Sequence, residues 1–280
     1  MYKYAGTLHE VSFRKNPRAG QADVFREVAE TTSERLNIQL PTGYGKTFTA
    51  CGSYSILKAE GKVDRSLFIF PTDAQLVQFV KDGPSDLRDA GIDGPHTVLD
   101  IRFYGAAAIK KHLKNEAQIY AITIQSLKES RGMDNVQRLM EKCRWMVVVD
   151  EYHHYSIGKS WGSAALSLPA KFFLSMSATP NPPGGQSAFG EPHLKVRYRE
   201  AYDEKAVKKL VGHSYVYRID AVMPDGDVVS YTTDELVDEL GTSDAAQLEQ
   251  RRIERKMRWS PKYVSPLVSV PIERMLHDRI

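Results

Sequence analysis

Eight residues, Leu40-Pro-Thr-Gly-Tyr-Gly-Lys-Thr47, restrict the fold of this chain more than any other stretch. They follow a short apolar run, Ile38 to Leu40, and open an amphipathic stretch, a pattern that reads as strand, loop and helix. Gly43 and Gly45 let backbone N–H groups close around an anion at the helix N-terminus, with Thr42 and Tyr44 completing the loop. Lys46 brings a compact positive charge and Thr47 a hydroxyl, the pair that meets a triphosphate and its Mg²⁺ in loops of this type. Farther along, Val147-Val-Val-Asp-Glu-Tyr-His153 is an apolar run that ends in two carboxylates. A buried parallel strand ending there delivers Asp150 to the metal and Glu151 to an attacking water. The two segments in this order predict a site for ATP and Mg²⁺, with Lys46, Asp150 and Glu151 as its catalytic side chains.

Composition sets the outer bounds. The 280 residues are 42% hydrophobic, enough for one core and a small second domain. With 38 basic and 35 acidic side chains the formal net charge is +3, which permits a nucleic-acid partner without demanding one. Cys51 and Cys143 form no metal-ligand pattern and read as two buried thiols in a reducing compartment. The chain has no apolar signal segment at its start and no apolar run of membrane length, so it is expected to be cytoplasmic, with no membrane partner.

Apolar runs alternate with amphipathic stretches as far as about residue 180. Strands are predicted at 37–40, 66–70, 98–103, 120–124, 145–149 and 172–175, and helices at 21–35, 46–60, 73–81, 106–114 and 135–142. That alternation predicts an α/β fold with a mostly parallel sheet between helices, its ligands lying outside the carboxyl ends of the strands. The segment 179–192 is rich in Pro, Gly and small polar residues and reads as a loop, in which Gly184-Gly185 is a turn. A hairpin is predicted over 214–233 around Pro224-Asp-Gly-Asp227, followed by a charged helix at 243–259. The apolar stripe Ile272, Met275, Leu276 and Ile280 reaches the last residue and predicts a larger parent protein. The domain expectation is therefore a nucleotide-binding domain over 1–200 and a hairpin and helical linker over 201–280.

With both motifs and their spacing, the chain resembles the first RecA-like lobe of a superfamily 2 helicase or translocase, in the DEAD/DEAH-type branch that includes restriction-enzyme helicase subunits. Four further segments carry the resemblance across roughly residues 10–200. Arg18-Ala-Gly-Gln21 is similar to the upstream glutamine motif, which implies that Gln21, with Arg18, reads the adenine edge; a glutamine amide donates and accepts at once. Pro71-Thr72 and Thr123-Ile-Gln-Ser-Leu127 resemble the motifs that touch the backbone of a tracked strand, which implies nucleic-acid contacts from Pro71, Thr72, Thr123, Gln125 and Ser126. Ser177-Ala-Thr179-Pro180 resembles the hydroxyl-bearing motif that couples nucleotide state to movement, through His153, Ser177 and Thr179. Two positions depart from the family pattern: Leu40 stands where the loop usually begins with Gly or Ala, and Gly20 replaces the usual aromatic beside the glutamine.

The resemblance implies Mg-ATP hydrolysis coupled to a nucleic acid, with DNA favoured over RNA. It also implies a second RecA-like lobe, in the parent chain or in trans, that supplies arginine fingers. Gln250-Arg-Arg-Ile-Glu-Arg255 lacks the glycine of that lobe's arginine motif and reads as a charged helix face. Adjacent His153 and His154 on an extended segment point to opposite sides, which disfavours a zinc site. Tyr2, Tyr4 and Phe13 read as packing residues. The competing readings are another P-loop class, a nucleotide-gated binding or scaffold module that never translocates, and a structural α/β domain with an inert pocket.

Overall fold

The computed structural model describes residues 2–5, 10–92, 98–102, 118–141, 143–181, 186–208, 218–222 and 228–232. The chain divides into two units, one from Met1 to Lys209 and one from Leu210 to Ile280. In chain order the first unit runs β1 (Tyr2–Ala5), β2 (Glu10–Phe13), α1 (Ala19–Glu30), β3 (Arg35–Gln39), α2 (Lys46–Ala59), β4 (Arg65–Phe70) and α3 (Asp73–Asp89). It continues with β5 (Val98–Asp100), β6 (Ile119–Thr123), α4 (Ile124–Lys128), α5 (Ser130–Met140), β7 (Trp145–Asp150), a 3-10 turn (Tyr152–His154) and α6 (Ser160–Leu166). Then come β8 (Phe172–Ser177), β9 (Leu194–Lys195) and α7 (Tyr198–Asp203). The boundary expected at residue 200 falls inside α7, which stays with the first unit. The second unit contributes β10 (Arg218–Val222) paired antiparallel with β11 (Val228–Thr232), where a hairpin was predicted from the turn residues between them.

Seven strands form one sheet in the order β5-β6-β4-β7-β8-β3-β9, and every pairing in it is parallel. Strands buried on both faces must be apolar almost throughout, and β4, β6, β7 and β8 are. The two-residue period then sorts each strand between two cores. Met146 and Val148 of β7, Phe68 and Phe70 of β4, and Leu174 and Met176 of β8 face one core, built with Val24, Phe25 and Val28 of α1, Phe48 and Ile56 of α2, and Leu76 and Phe79 of α3. Trp145, Val147 and Val149, with Leu67, Ile69 and Phe173, face the other, under Leu127 of α4, Val136 and Leu139 of α5, and Ala165 of α6. Phe13 stacks on Phe25 with ring centroids 5.0 Å apart and meets Phe48 edge-on at 6.1 Å. Losing one such buried ring costs about 3–5 kcal/mol.

The differences from the predicted elements have local causes. α1 stops at Glu30, not at 35, because Thr31 turns extended and Ser33 bonds Arg35 through its side chain. α3 runs past 81 through Pro84 to Asp89. A proline inside a helix costs about 3 kcal/mol, but Gly83 before it has no Cβ to clash with the ring, and Leu87 beyond it is buried in the core. β5 ends at Asp100, whose carboxylate accepts from the Arg102 backbone N–H at 3.1 Å. β1, β2, α4, α6, β9 and α7 were not anticipated: each is short, and pairing or packing decides them rather than periodicity. Cys51 is buried, but Cys143 is only half-buried. The helices predicted at 106–114 and 243–259, the glycine pair 184–185 and the apolar stripe from residue 272 lie outside the described residues. No described helix is long and apolar enough to cross a membrane.

Candidate functional site

Three adjacent strands converge on one edge of the sheet. Gln39 at the end of β3 pairs with Ser177 at the end of β8, and Asp150 at the end of β7 pairs with Met176 of β8. The loop 40–45 leaves β3, and the turn after Asp150 leaves β7, side by side. In that loop Gly43 stands at φ 82° and Gly45 at φ 100°, left-handed angles that need glycine. Gly45 caps α2, so the first N–H groups of that helix have no intrahelical acceptor and open toward solvent as an anion cradle.

Lys46 and Glu151 form an ion pair, the Lys46 Nζ on Glu151 Oε1, with both side chains largely withdrawn from solvent. Two successive residues of a strand point to opposite faces, yet Asp150 and Glu151 serve one site. Glu151 achieves this at φ 48° and ψ 53°, a left-handed conformation that turns its side chain back beside Asp150. The carboxylate is pinned there: Ser177 Oγ donates to Glu151 Oε2 at 3.2 Å, and His153 Nδ1 lies 3.4 Å from the same oxygen. His153 Nδ1 also lies 2.8 Å from Ser177 Oγ, and the Thr179 backbone N–H donates to that hydroxyl at 3.1 Å. Burial holds the His153 imidazole below its ordinary pKa, helped by His154 and Lys46 and opposed by Glu151, so it is neutral at physiological pH. The two histidines do not point apart on an extended segment, as the sequence suggested. They sit in the 3-10 turn, with ring centroids 4.1 Å apart. Among the described residues no cluster of three or more His, Cys, Asp or Glu could hold a metal on its own.

A cation held jointly with phosphate oxygens is a different case, and the residues fit it. Thr47 and Asp150 line one cleft of about 460 Å³ together with Gln75, Asp82 and Asp86 of α3. Burial pushes the Asp150 carboxyl up to about 6; Glu151 adds to the rise, while Lys46 and the Glu151 backbone N–H oppose it. A buried, undercompensated carboxylate beside a hydroxyl is a hard-oxygen pair suited to Mg²⁺, which prefers to complete its shell with water and substrate phosphate.

The upstream pair behaves differently from its expectation. Gln21 is only 2% exposed. Its Nε2 donates to the backbone oxygens of Tyr44 at 3.1 Å and Gly45 at 3.3 Å, and lies 3.3 Å from Thr49 Oγ1. Its Oε1 accepts from the Arg18 N–H at 3.0 Å, the return half of a capping box at the start of α1. Arg18 in turn donates to the Gly43 and Tyr44 carbonyls. Both side chains therefore brace the loop 40–45, and the amide expected to read adenine is bonded within the protein through both its nitrogen and its oxygen.

The proposed nucleic-acid residues lie at the ends of neighbouring strands β4 and β6, where Phe70 pairs with Thr123. Gln125 Nε2 donates to the Pro71 carbonyl at 2.9 Å and joins the two segments. Thr72 is exposed and caps α3, accepting from the Gln75 N–H at 3.4 Å. Ser126 is half-buried, its N–H directed to Thr123 Oγ1 at 3.4 Å. Thr123 is 2% exposed and its hydroxyl also contacts Ser126 Oγ at 3.1 Å. Thr123 is thus a helix cap and not a surface contact. Sequence reading missed Thr49, Gln39, whose Nε2 donates to the Ala178 carbonyl at 3.2 Å, and Glu204, which reaches Tyr44; no local signal marks any of the three.

Comparison with known proteins follows this geometry. Residues 14–182, more than half of the chain, match the family model described as type III restriction enzyme, res subunit. No curated protein sequence matches the chain. Among solved structures, a nuclease-deletion mutant of the Type ISP restriction-modification enzyme LlaGI in complex with a DNA substrate mimic is 15% identical, covering 90% of this chain and 24% of that one, at a TM-score of 0.51. The Sulfolobus solfataricus SWI2/SNF2 ATPase core in complex with double-stranded DNA is 20% identical over 65% of this chain and 37% of that one, at 0.47. The Pyrococcus furiosus Hef helicase domain is 19% identical over 69% and 41%, at 0.47. The chain spans less than half the length of each.

Proposed function

The chain belongs to the family of type III restriction enzyme res subunits, and from that premise we propose that it is the ATP-binding half of a DNA translocase or helicase. Its fold is that of the N-terminal RecA-like lobe of superfamily 2 helicases, and its kind is that of a helicase-type ATPase domain. The observation that carries the finer reading is that Thr47 and Asp150 line one cleft while their chain neighbours Lys46 and the turned-back Glu151 pair with each other.

The N–H groups at the start of α2 and the Lys46 ammonium take the triphosphate. Thr47 and Asp150 would hold Mg²⁺, which would supply charge neutralisation for the β- and γ-phosphates. When phosphate oxygens draw Lys46 away, Glu151 is released to orient a water in line with the γ-phosphorus. A P–O bond forms from that water as the bond to the β–γ bridging oxygen breaks, leaving ADP and inorganic phosphate, with the water proton passing through Glu151 to solvent. Ser177 and His153 touch the same carboxylate and report its position to Thr179. Thr72, Gln125 and Ser126 form the rim over which a strand backbone passes, and buried Pro71 contributes only the carbonyl that holds Gln125 in place. DNA is the polymer we favour, because the LlaGI structure is a complex with a DNA substrate mimic. The transition-state arginine comes from a second RecA-like lobe, in the parent chain or in trans.

Isothermal titration of Mg-ATP tests the site. The unmodified chain should bind, and Lys46→Ala should weaken binding by at least about tenfold, since a charge-assisted hydrogen bond is worth roughly 1.5–3 kcal/mol. An unchanged titration curve in the variant removes Lys46 from the site and the reading with it.

A further inference from the structure

Tyr44 is the one aromatic side chain of the phosphate loop, and it packs into the protein. Its ring is fully buried. Its hydroxyl accepts from the Gly20 backbone N–H at 3.1 Å and donates to Glu204 Oε2 at 2.8 Å. The Arg18 guanidinium lies over the ring, 5.2 Å from its centroid. Three segments far apart in sequence therefore meet on one phenol: the start of α1, the loop 40–45, and the end of α7. The junction leaves no space for a side chain at residue 20. A Cβ there would lie 2.9 Å from the Tyr44 hydroxyl and 2.4 Å from Val196 Cγ2. Gly20, where the family pattern has an aromatic, is what admits Tyr44.

Glu204 is exposed, but its backbone is fixed. It caps α7, and after it Lys205 stands at φ 57°. The Lys205 N–H donates to the Tyr202 carbonyl at 2.9 Å and the Ala206 N–H to the Ala201 carbonyl at 2.9 Å, the paired bonds of a Schellman motif. Glycine usually takes the left-handed position of that motif, so a lysine there shows that surrounding contacts over-determine the turn. Ala201 is in the core and Ala206 packs against it.

We propose that Glu204 is a positioning residue for the phosphate loop, acting through the Tyr44 hydroxyl. The consequence is directional. The Tyr44 carbonyl receives Gln21 and Arg18, while its N–H donates to the Pro41 carbonyl at 3.1 Å. Once the hydroxyl is fixed as well, Tyr44 has no freedom left, and Gly43 and Gly45 on either side take their angles from it. Glu204 lies six residues before Leu210, where the second unit begins in sequence. A change at Glu204 is thereby felt at the phosphate loop, without any contact to nucleotide. The inference rests on reading 40–47 as the phosphate site, but its mechanical part stands apart from that reading.

The test measures two quantities on the full chain: amide hydrogen exchange across residues 40–47 without nucleotide, and Mg-ATP affinity. Glu204→Ala should speed exchange of the loop and weaken affinity by about three- to tenfold, the range expected for one half-exposed hydrogen bond, and Tyr44→Phe, which also strips the Gly20 N–H of its acceptor, should do so at least as strongly. Glu204→Gln, whose amide oxygen still accepts from the phenol, should recover most of the loss. The double variant should be no worse than Tyr44→Phe alone. Asp203→Asn, beside Glu204 but paired with Arg199 on the surface, serves as the control and should leave both quantities unchanged. Additive losses in the double variant, or loop exchange and affinity both indifferent to Glu204→Ala, overturn the proposal. If the unmodified chain binds no Mg-ATP while Glu204→Ala still speeds loop exchange, the brace stands and the assigned function falls.

Discussion

At the residue scale, Glu151 is the position where the chain accepts local strain for chemistry. A non-glycine residue at φ 48° costs roughly 1–2 kcal/mol. Contacts from Lys46, Ser177 and His153 hold it there. The pairing with Lys46 also competes with phosphate for the same ammonium. Glu151→Gln should therefore leave Mg-ATP affinity equal or tighter, by no more than roughly tenfold, while multiple-turnover hydrolysis falls sharply. Weaker nucleotide binding in that variant, measured by titration, would show that the carboxylate supports binding instead of opposing it. Gln21 gives the opposite lesson. Its residue type agreed with a base-reading role, but its burial and four partners make it a brace.

At the element scale, α3 is both a wall of the cleft and a carrier of uncompensated charge. Asp86 on its inner side has its carboxyl raised above the ordinary value by burial, with Asp89 and Asp82 adding and Lys15 opposing. Because folding raises this pKa above that of the unfolded chain, ionised Asp86 opposes folding at neutral pH. The penalty fades as pH falls through the folded value and is gone below the unfolded one. Asp86→Asn should thus raise the melting temperature at pH 7, each kcal/mol of relief being worth roughly 2–4 °C in a domain of this size. The gain should vanish in melts below the usual carboxylate range; a gain that persists there assigns the effect to packing instead. The elements themselves were readable to differing degrees. β4, β6, β7 and β8 are short, mostly apolar runs of the kind a buried parallel sheet needs, and all four were anticipated. The short β9 and α7 carry two and six residues and no period to detect.

At the scale of the whole molecule, the described side chains of the candidate site all come from the first unit. Arg18, the guanidinium beside the phosphate loop, is turned onto the Gly43 and Tyr44 carbonyls and so is not aimed at the cradle. A transition-state arginine supplied from elsewhere is worth ~10³–10⁵ in rate among related NTPases. The purified 280-residue chain should therefore bind ATP and turn it over slowly, with or without added DNA. Rapid DNA-stimulated phosphate release by this chain alone would defeat that expectation. What the sequence alone determined was the chemistry of contiguous residues: a glycine loop ahead of lysine and threonine, and an apolar strand ending in two acids. Those depend only on chain order and on periods of two and 3.6 residues, so they are visible before folding. Tertiary structure alone decided the backward turn of Glu151, the bracing role of Gln21 and the anchoring of Tyr44 by Glu204. Each of those is set by a partner distant in sequence, and a hydrogen bond between Tyr44 and Glu204 leaves no trace in the residues around either one.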